Sequence, residues 1–213
     1  MLSYLHRGLN TIANLRFVKL EFWISVLKLK SQIQDFLCDI LFYNNQIVAE
    51  TKNYILDQST AERKLRRMAL EIIENNAEEK SLILAGIRES GSVVARCIQK
   101  YIAEISPVKT ELITITLDKR EPKDITLSQP MDFNNKVIIV IDDVANSGKT
   151  LLYALKPFLN DHPRKIQSLV LISRSHNSFP VCPDFVGLSI ATTLQEHIYV
   201  EVEGEKVVGA FMK

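Results

Sequence analysis

Two adjacent carboxylates, Asp142 and Asp143, stand directly after the most apolar short run of the chain, residues 136–141 (KVIIVI). They are followed by Val144, Ala145, Asn146, Ser147, Gly148, Lys149 and Thr150, and then by apolar residues at helical spacing (Leu152, Leu155, Leu159). A buried strand that ends in two acids, a loop of small residues and a helix start is an arrangement with specific chemistry. In open α/β sheets ligands sit beyond the carboxyl ends of the strands. Small residues let backbone N–H groups converge on an anion, and a helix N-terminus adds positive potential. Ser147 and Thr150 add hydroxyl donors. The adjacent carboxylates accept hydrogen bonds from vicinal hydroxyls. A phosphate and a diol held side by side describe a ribose 5-phosphate.

Gly148-Lys149-Thr150 also matches the end of a Walker A loop. That motif requires glycine five positions before Gly148, and Asp143 stands there, a carboxylate where a phosphate would pass. The remaining alternative is a strand end with two solvated acids and an ordinary helix cap.

The elements needed to position such a loop can be read from periodicity. Residues 59–76 read as a helix, with Ser59 and Glu62 as a candidate capping box and Leu65, Met68, Ala69, Ile72 and Ile73 as its apolar stripe. Residues 81–87 (SLILAGI) have strand length and apolar character, residues 91–104 return to helical spacing, and residues 108–117 alternate as a strand. Residues 119–135, with Pro122 and Pro130, read as a loop. Residues 149–160 read as a helix, residues 166–173 and 185–190 as strands, and residues 198–202 and 207–211 as C-terminal strands. This order predicts an α/β fold, a mostly parallel twisted sheet flanked by helices on both faces.

With 213 residues the chain suffices for one such domain, and 24% charged against 46% hydrophobic residues suits a globular protein. A net charge of +1 does not select for nucleic acid. Cys38, Cys97 and Cys182 are odd in number and far apart, which fits neither a disulfide framework nor a metal cluster and points to a reducing cytoplasm. No run is long and apolar enough for a membrane span. Residues 1–45 read as an N-terminal extension without a chemistry-bearing motif, and residues 46–213 as the domain. In the extension Phe22, Ile24, Leu27, Ile33, Phe36, Leu37 and Ile40 share one potential helical face, and Lys19, Glu21, Lys28 and Lys30 interrupt any signal-peptide pattern.

Residues 137–150 resemble the phosphoribosylpyrophosphate signature of type I phosphoribosyltransferases. Within that family the chain most resembles the PyrR type, a uracil phosphoribosyltransferase that also regulates pyrimidine operons by binding mRNA. Supporting segments are Ala69-Leu70-Glu71-Ile72-Ile73-Glu74-Asn75 in the first helix, Ala85-Gly86-Ile87-Arg88 with Gly91 as a pyrophosphate loop, Ile172-Ser173-Arg174-Ser175-His176, Asp184-Phe185-Val186-Gly187 and Glu196-His197. The resemblance covers roughly residues 46–202. It implies the type I phosphoribosyltransferase fold with a small C-terminal hood, a usually oligomeric protein, and transfer of ribose 5-phosphate from 5-phosphoribosyl-1-pyrophosphate to a nucleobase. By the same resemblance Asp142 and Asp143 hold the ribose hydroxyls and the shell of a Mg²⁺ ion, and residues 145–150 hold the 5-phosphate. Arg88, with Lys119 or Arg120, meets the pyrophosphate. Phe185, Val186 and Arg174 are candidates for the base pocket, with a core role for Phe185 and a surface role for Arg174 as the alternatives. The loop 119–135 becomes the lid that excludes water.

Three departures bear on function. Ser147 stands where the family usually has threonine, which keeps the hydroxyl. Asn146 occupies the place of an acid in purine enzymes, and an amide is no general base. Ser90 stands where the PyrR type has an arginine just before the glycine, with Glu89 preceding it, which weakens the expected hold on pyrophosphate. Three readings follow: a pyrimidine phosphoribosyltransferase, a nucleotide-responsive RNA-binding regulator without turnover, and a hypoxanthine or guanine phosphoribosyltransferase. Arg63, Lys64, Arg66 and Arg67 form a basic helix face that is either solvated or an RNA contact. His176 and His197 read as structural.

Overall fold

The strongest apolar run becomes the central strand of a six-stranded sheet. The computed structural model describes Lys30, Ile33 and Gln34 and residues 52–213 except 119, 120, 123, 176, 177 and 194. The expected extension therefore lies almost entirely outside the described residues, as do Lys119, Arg120 and His176. In chain order the elements are β1 (Asn53–Asp57), α1 (Gln58–Asn75), β2 (Ser81–Ile87), α2 (Ser90–Ile105), β3 (Lys109–Thr116), β4 (Thr126–Leu127), β5 (Val137–Ala145), α3 (Lys149–Ala154), a 3₁₀ turn (Lys156–Asn160), β6 (Lys165–Arg174), β7 (Phe185–Ile190), β8 (Ile198–Glu203) and β9 (Lys206–Met212). Among the described residues no helix is long and apolar enough to cross a membrane.

The large sheet has the order β4-β3-β2-β5-β6-β7, parallel except for β4, which pairs antiparallel with β3. Both faces are covered, which is why its strands read as unbroken apolar runs. Val137, Ile139 and Ile141 of β5 enter a core with Leu65, Met68 and Ile72 of α1 and Val94, Ile98 and Ile102 of α2. Ile138 and Val140 enter a second core with Leu151, Ala154 and Phe158 on the opposite face.

Four local expectations are revised. The cap of α1 is Asp57, whose Oδ1 accepts from the Thr60 N–H at 2.7 Å and the Ser59 hydroxyl at 3.0 Å, so Ser59 lies inside the helix. The loop after β3 contains β4, which covers part of that edge. The helix after β5 ends at Ala154 and continues as a 3₁₀ turn, because Pro157 has no N–H to continue the helical ladder. Finally, β1 was not legible as a strand; it pairs antiparallel with β9, forming a second sheet of order β1-β9-β8.

The Asp57 cap has a pH signature. Hydrogen bonds from Thr60 and Ser59 hold its carboxyl below the usual carboxylate range. A depressed folded-state pKa stabilises above the unfolded pKa and loses its effect as pH falls through the folded value. Asp57→Ala is expected to lower the urea midpoint at neutral pH, and the gap to the parent protein to narrow as pH falls below the carboxylate range. Equilibrium unfolding at several pH values measures both.

Candidate active site

The strand order places the crevice. From β2 the chain moves to β3 on one side and later returns to β5 on the other, so the loops leaving β2 and β5 diverge at a topological switch point. The β2–β5 pairing ends at Gly86 and Ile141, while β5 continues to Ala145 paired only with β6. The last residues of β5 thus project beyond their former neighbour, into the space under the start of α2. The two acids accordingly belong to the strand rather than follow it.

A cavity of about 420 Å³ occupies this space, lined by Asp142, Asp143 and residues 144–151, by Glu89 and Ser90 at the start of α2, and by Ile198, Tyr199 and Val200 of β8. Asp142 is 1% exposed, and its Oδ1 accepts from the Asp143 N–H at 3.0 Å. Asp143 is half-buried and better exposed to a ligand. Gly91 lets α2 approach: a Cβ there would stand 3.0 Å from the Ile141 carbonyl oxygen and 3.2 Å from Asp142 Oδ1.

The loop after the acids turns at Gly148, whose φ of +80° is left-handed, and whose Cβ position lies 3.3 Å from the Val181 carbonyl oxygen. Glycine relieves both constraints. The Ser147 carbonyl accepts from the Ser178 and Phe179 N–H groups at 3.0 Å each, and Ser147 Oγ accepts from the Lys149 N–H at 3.4 Å. The first turn of any helix carries N–H groups without intrahelical acceptors. Because α3 spans only six residues, its use to an anion rests on those groups and not on a long dipole.

Arg174, a candidate for the base pocket, is buried and held by three hydrogen bonds. It is 8% exposed; Nε donates to Thr192 Oγ1 at 2.6 Å, Nη1 to Asn146 Oδ1 at 2.9 Å and Nη2 to the Thr193 carbonyl at 2.6 Å. It ties the end of β6 to the loop that follows β5 and is not among the residues that line the cavity. Glu196 closes the same turn, accepting from the Thr193 N–H and hydroxyl, which hold its carboxyl below the usual range.

For Phe185 the structure shows the core packing that stood as the alternative to a base contact, and Val186 is also packed. Phe185 is 3% exposed and packs in the α1–α2 core, while Val186 packs against the opposite core. Both border a different depression, with Arg67, Glu71, Asn75, Gln167 and Asp184. Their motif stitches the sheet: Asp184 Oδ2 accepts from the Ser168 N–H at 2.7 Å and its hydroxyl at 3.0 Å, and a Cβ on Gly187 would stand 2.5 Å from the Leu171 carbonyl oxygen. The cavity is lined instead by Ile198, Tyr199 and Val200 of β8, a segment whose sequence reads as a strand and carries no chemistry-bearing motif.

Arg88 is exposed and its backbone N–H donates to the Ile115 carbonyl at 2.8 Å; Glu89 and Ser90, not Arg88, are among the residues lining the cavity. Glu89 has φ +71°, a conformation that costs a non-glycine residue about 1–3 kcal/mol. His197 pairs through its backbone with Lys213. On the basic helix face, Arg67 is engaged by Glu71 and the Val186 carbonyl.

Residues 52–203 match the phosphoribosyl transferase domain family. The chain is 36% identical over 164 residues to the bifunctional protein PyrR of Clostridium acetobutylicum, covering 72% of this chain and 92% of that one. It is 33% identical over 178 residues to the bifunctional protein PyrR of Clostridium novyi, covering 77% and 99%. Among solved structures, the hypoxanthine phosphoribosyltransferase of Trypanosoma cruzi superposes with a TM-score of 0.64 at 12% identity, covering 76% of this chain and 98% of that one. A hypoxanthine-guanine phosphoribosyltransferase of Bacillus anthracis gives 0.61 at 17% identity with the same coverages. At those identities the structures speak for the fold, whereas the sequence matches speak for the family: this chain belongs to the type I phosphoribosyltransferases, and within them to the PyrR type.

Proposed function

We propose that the cavity binds 5-phosphoribosyl-1-pyrophosphate and transfers its ribose 5-phosphate to a nucleobase, uracil being the base. The observation that carries this reading is the convergence of Asp142, Asp143 and the 145–150 loop on one cavity at the switch point of the sheet. Ser147, Thr150 and the first-turn N–H groups hold the 5-phosphate, and Asp143, positioned by buried Asp142, accepts from the ribose hydroxyls. Ile198, Tyr199 and Val200 offer an apolar wall on which a flat base packs. The ring nitrogen of the base then displaces pyrophosphate at C1 of the ribose, so the protein's work is to align two reactants and keep water out.

Among the described residues no group of three or more His, Cys, Asp or Glu side chains is arranged to hold a metal ion. Two neighbouring carboxylates do fit Mg²⁺ that arrives with the substrate and keeps most of its waters. Held there, the ion would supply neutralising charge to the pyrophosphate. Asp142 and Asp143 are the residues that would meet its shell.

The test is product formation from 5-phosphoribosyl-1-pyrophosphate, Mg²⁺ and labelled uracil, hypoxanthine or guanine, beside calorimetry with ribose 5-phosphate. Uracil-dependent nucleotide is expected. A silent calorimeter together with no product from any base overturns the reading. Product from hypoxanthine or guanine alone moves the assignment to purines, against which Asn146 counts, its Oδ1 being engaged by Arg174.

A second reading, a nucleotide-sensing RNA-binding regulator with little turnover, is favoured by the charge of the wall. Glu89, Asp142 and Asp143 face a single lysine, Lys149, among the described lining residues. Glu89→Gln removes one charge opposed to pyrophosphate and is expected to tighten Mg²⁺–5-phosphoribosyl-1-pyrophosphate binding about fivefold, the equivalent of about 1 kcal/mol. Ribose 5-phosphate affinity should change much less. Salt-dependent binding to structured RNA without any product supports the regulator. Homo-oligomer formation belongs to this same proposal and is read by sedimentation.

A further inference from the structure

A second cavity lies away from the first, where α1, α2 and the β8–β9 turn meet. It measures about 320 Å³ and is lined by Glu62, Leu65, Arg96, Cys97, Lys100, Tyr101, Glu205, Lys206 and Val207. Its size is at the lower end of the range for small-molecule sites. Leu65, Tyr101 and Val207 make an apolar side, and Arg96, Lys100 and Lys206 bring three cations against the acids Glu62 and Glu205. Arg96 and Lys100 are one helical turn apart on α2 and share a face.

Arg96 Nε is the one buried side-chain nitrogen or oxygen among the described residues with no hydrogen-bond partner. Glu205 Oε1 is 3.6 Å away, beyond hydrogen-bond reach; the Arg96 side chain as a whole is 37% exposed and that of Glu205 80%. Glu205 follows Gly204, whose φ of +57° makes the sharp turn of the hairpin. An exposed ion pair of this kind is weak and readily displaced. A buried guanidinium N–H without an acceptor is unfavourable, and an incoming oxyanion supplies what it lacks.

We propose that this cavity is a second binding site, for a small molecule that carries a phosphate or carboxylate on a flat apolar body. The oxyanion pairs with Arg96 Nε and Lys100, with Lys206 closing from the hairpin, and the body packs on Leu65, Tyr101 and Val207. Glu205 turns outward as the ligand enters. Nothing in this arrangement draws on the ribose-phosphate cavity, so either site stands without the other.

Cys97 provides a local readout. Its thiol is half-buried in the wall, donates to the Glu205 carbonyl at 3.3 Å, and is pushed up in pKa chiefly by burial. In a full-length protein with Cys38→Ser and Cys182→Ser, alkylation of Cys97 by iodoacetamide is followed with phenyl phosphate, benzoate or inorganic phosphate present at millimolar concentration. Several-fold slower labelling with phenyl phosphate assigns a phosphate ligand, and with benzoate a carboxylate ligand. Either effect must vanish in Arg96→Gln, a variant whose melting curve shows that it folds. Labelling that is indifferent to both aromatic anions overturns the proposal, and so does protection that persists in Arg96→Gln. Protection by inorganic phosphate equal to that by phenyl phosphate overturns the apolar half of the site.

Discussion

Asp143→Asn is expected to lower kcat/KM for ribosyl transfer by about 10²–10³-fold, the scale seen when one preorganised polar contact to a transition state is removed. Asp143 is the half-buried member of the acid pair on the cavity wall, and an amide offers a ribose hydroxyl one acceptor oxygen and no charge. Asp142→Asn is expected to fall less far, through loss of the charge that would meet the Mg²⁺ shell, with its fold intact. The Asp142 carboxylate accepts the Asp143 N–H at 3.0 Å, and the oxygen of an asparagine keeps that bond. Steady-state kinetics and thermal melting of the two variants separate lost chemistry from lost structure. Full activity in either variant removes the acid pair from the mechanism.

Arg174→Met should be the most destabilising single change near the site. Methionine fills much of the same volume but leaves Thr192 Oγ1, Asn146 Oδ1 and the Thr193 carbonyl without their donor, in a place where arginine is 8% exposed. Hydrogen bonds to charged groups contribute about 1.5–3 kcal/mol each and do not add fully, so a loss of about 3 kcal/mol is expected. For a chain of this length that is a fall in Tm of about 6–12 °C. The same change releases Asn146 and is expected to weaken ribose 5-phosphate binding by about tenfold, since the loop must then be ordered by the ligand itself. Arg174→Lys recovers little, because a point charge cannot reproduce a three-way planar fork. Calorimetric melting and ligand titration measure the two effects separately. Unchanged ligand affinity in a destabilised Arg174→Met would confine Arg174 to the fold.

The acid pair and its loop were legible because everything they need is local. A strand buried on both faces shows as an unbroken apolar run, and the switch to small residues and then to helical spacing follows within a few positions. For the same reason β2, α2, β3 and β6 appear within one or two residues of where periodicity puts them. Ambiguity arose where a local signal had two physical uses. Ser59 and Glu62 resemble a capping box, yet Asp57, two residues earlier, offers the better acceptor geometry. Asp184-Phe185-Val186-Gly187 carries an aromatic of the type that packs on a base, yet its hydrogen bonds and close contacts serve the β6–β7 pairing.

The sequence by itself therefore determined that two acids and a small-residue loop stand together, and that a mostly parallel sheet presents them at a strand end. Only the tertiary structure decided what stands opposite them. Ile198, Tyr199 and Val200 reach the cavity through a second sheet in which β9 pairs with β1, more than a hundred residues away along the chain. Arg174 is held as a clasp by partners on two other loops. Periodicity reports which side of an element is buried, since burial acts on each residue where it stands. It carries no record of which distant element does the burying, because that follows from how the sheets and helices pack together.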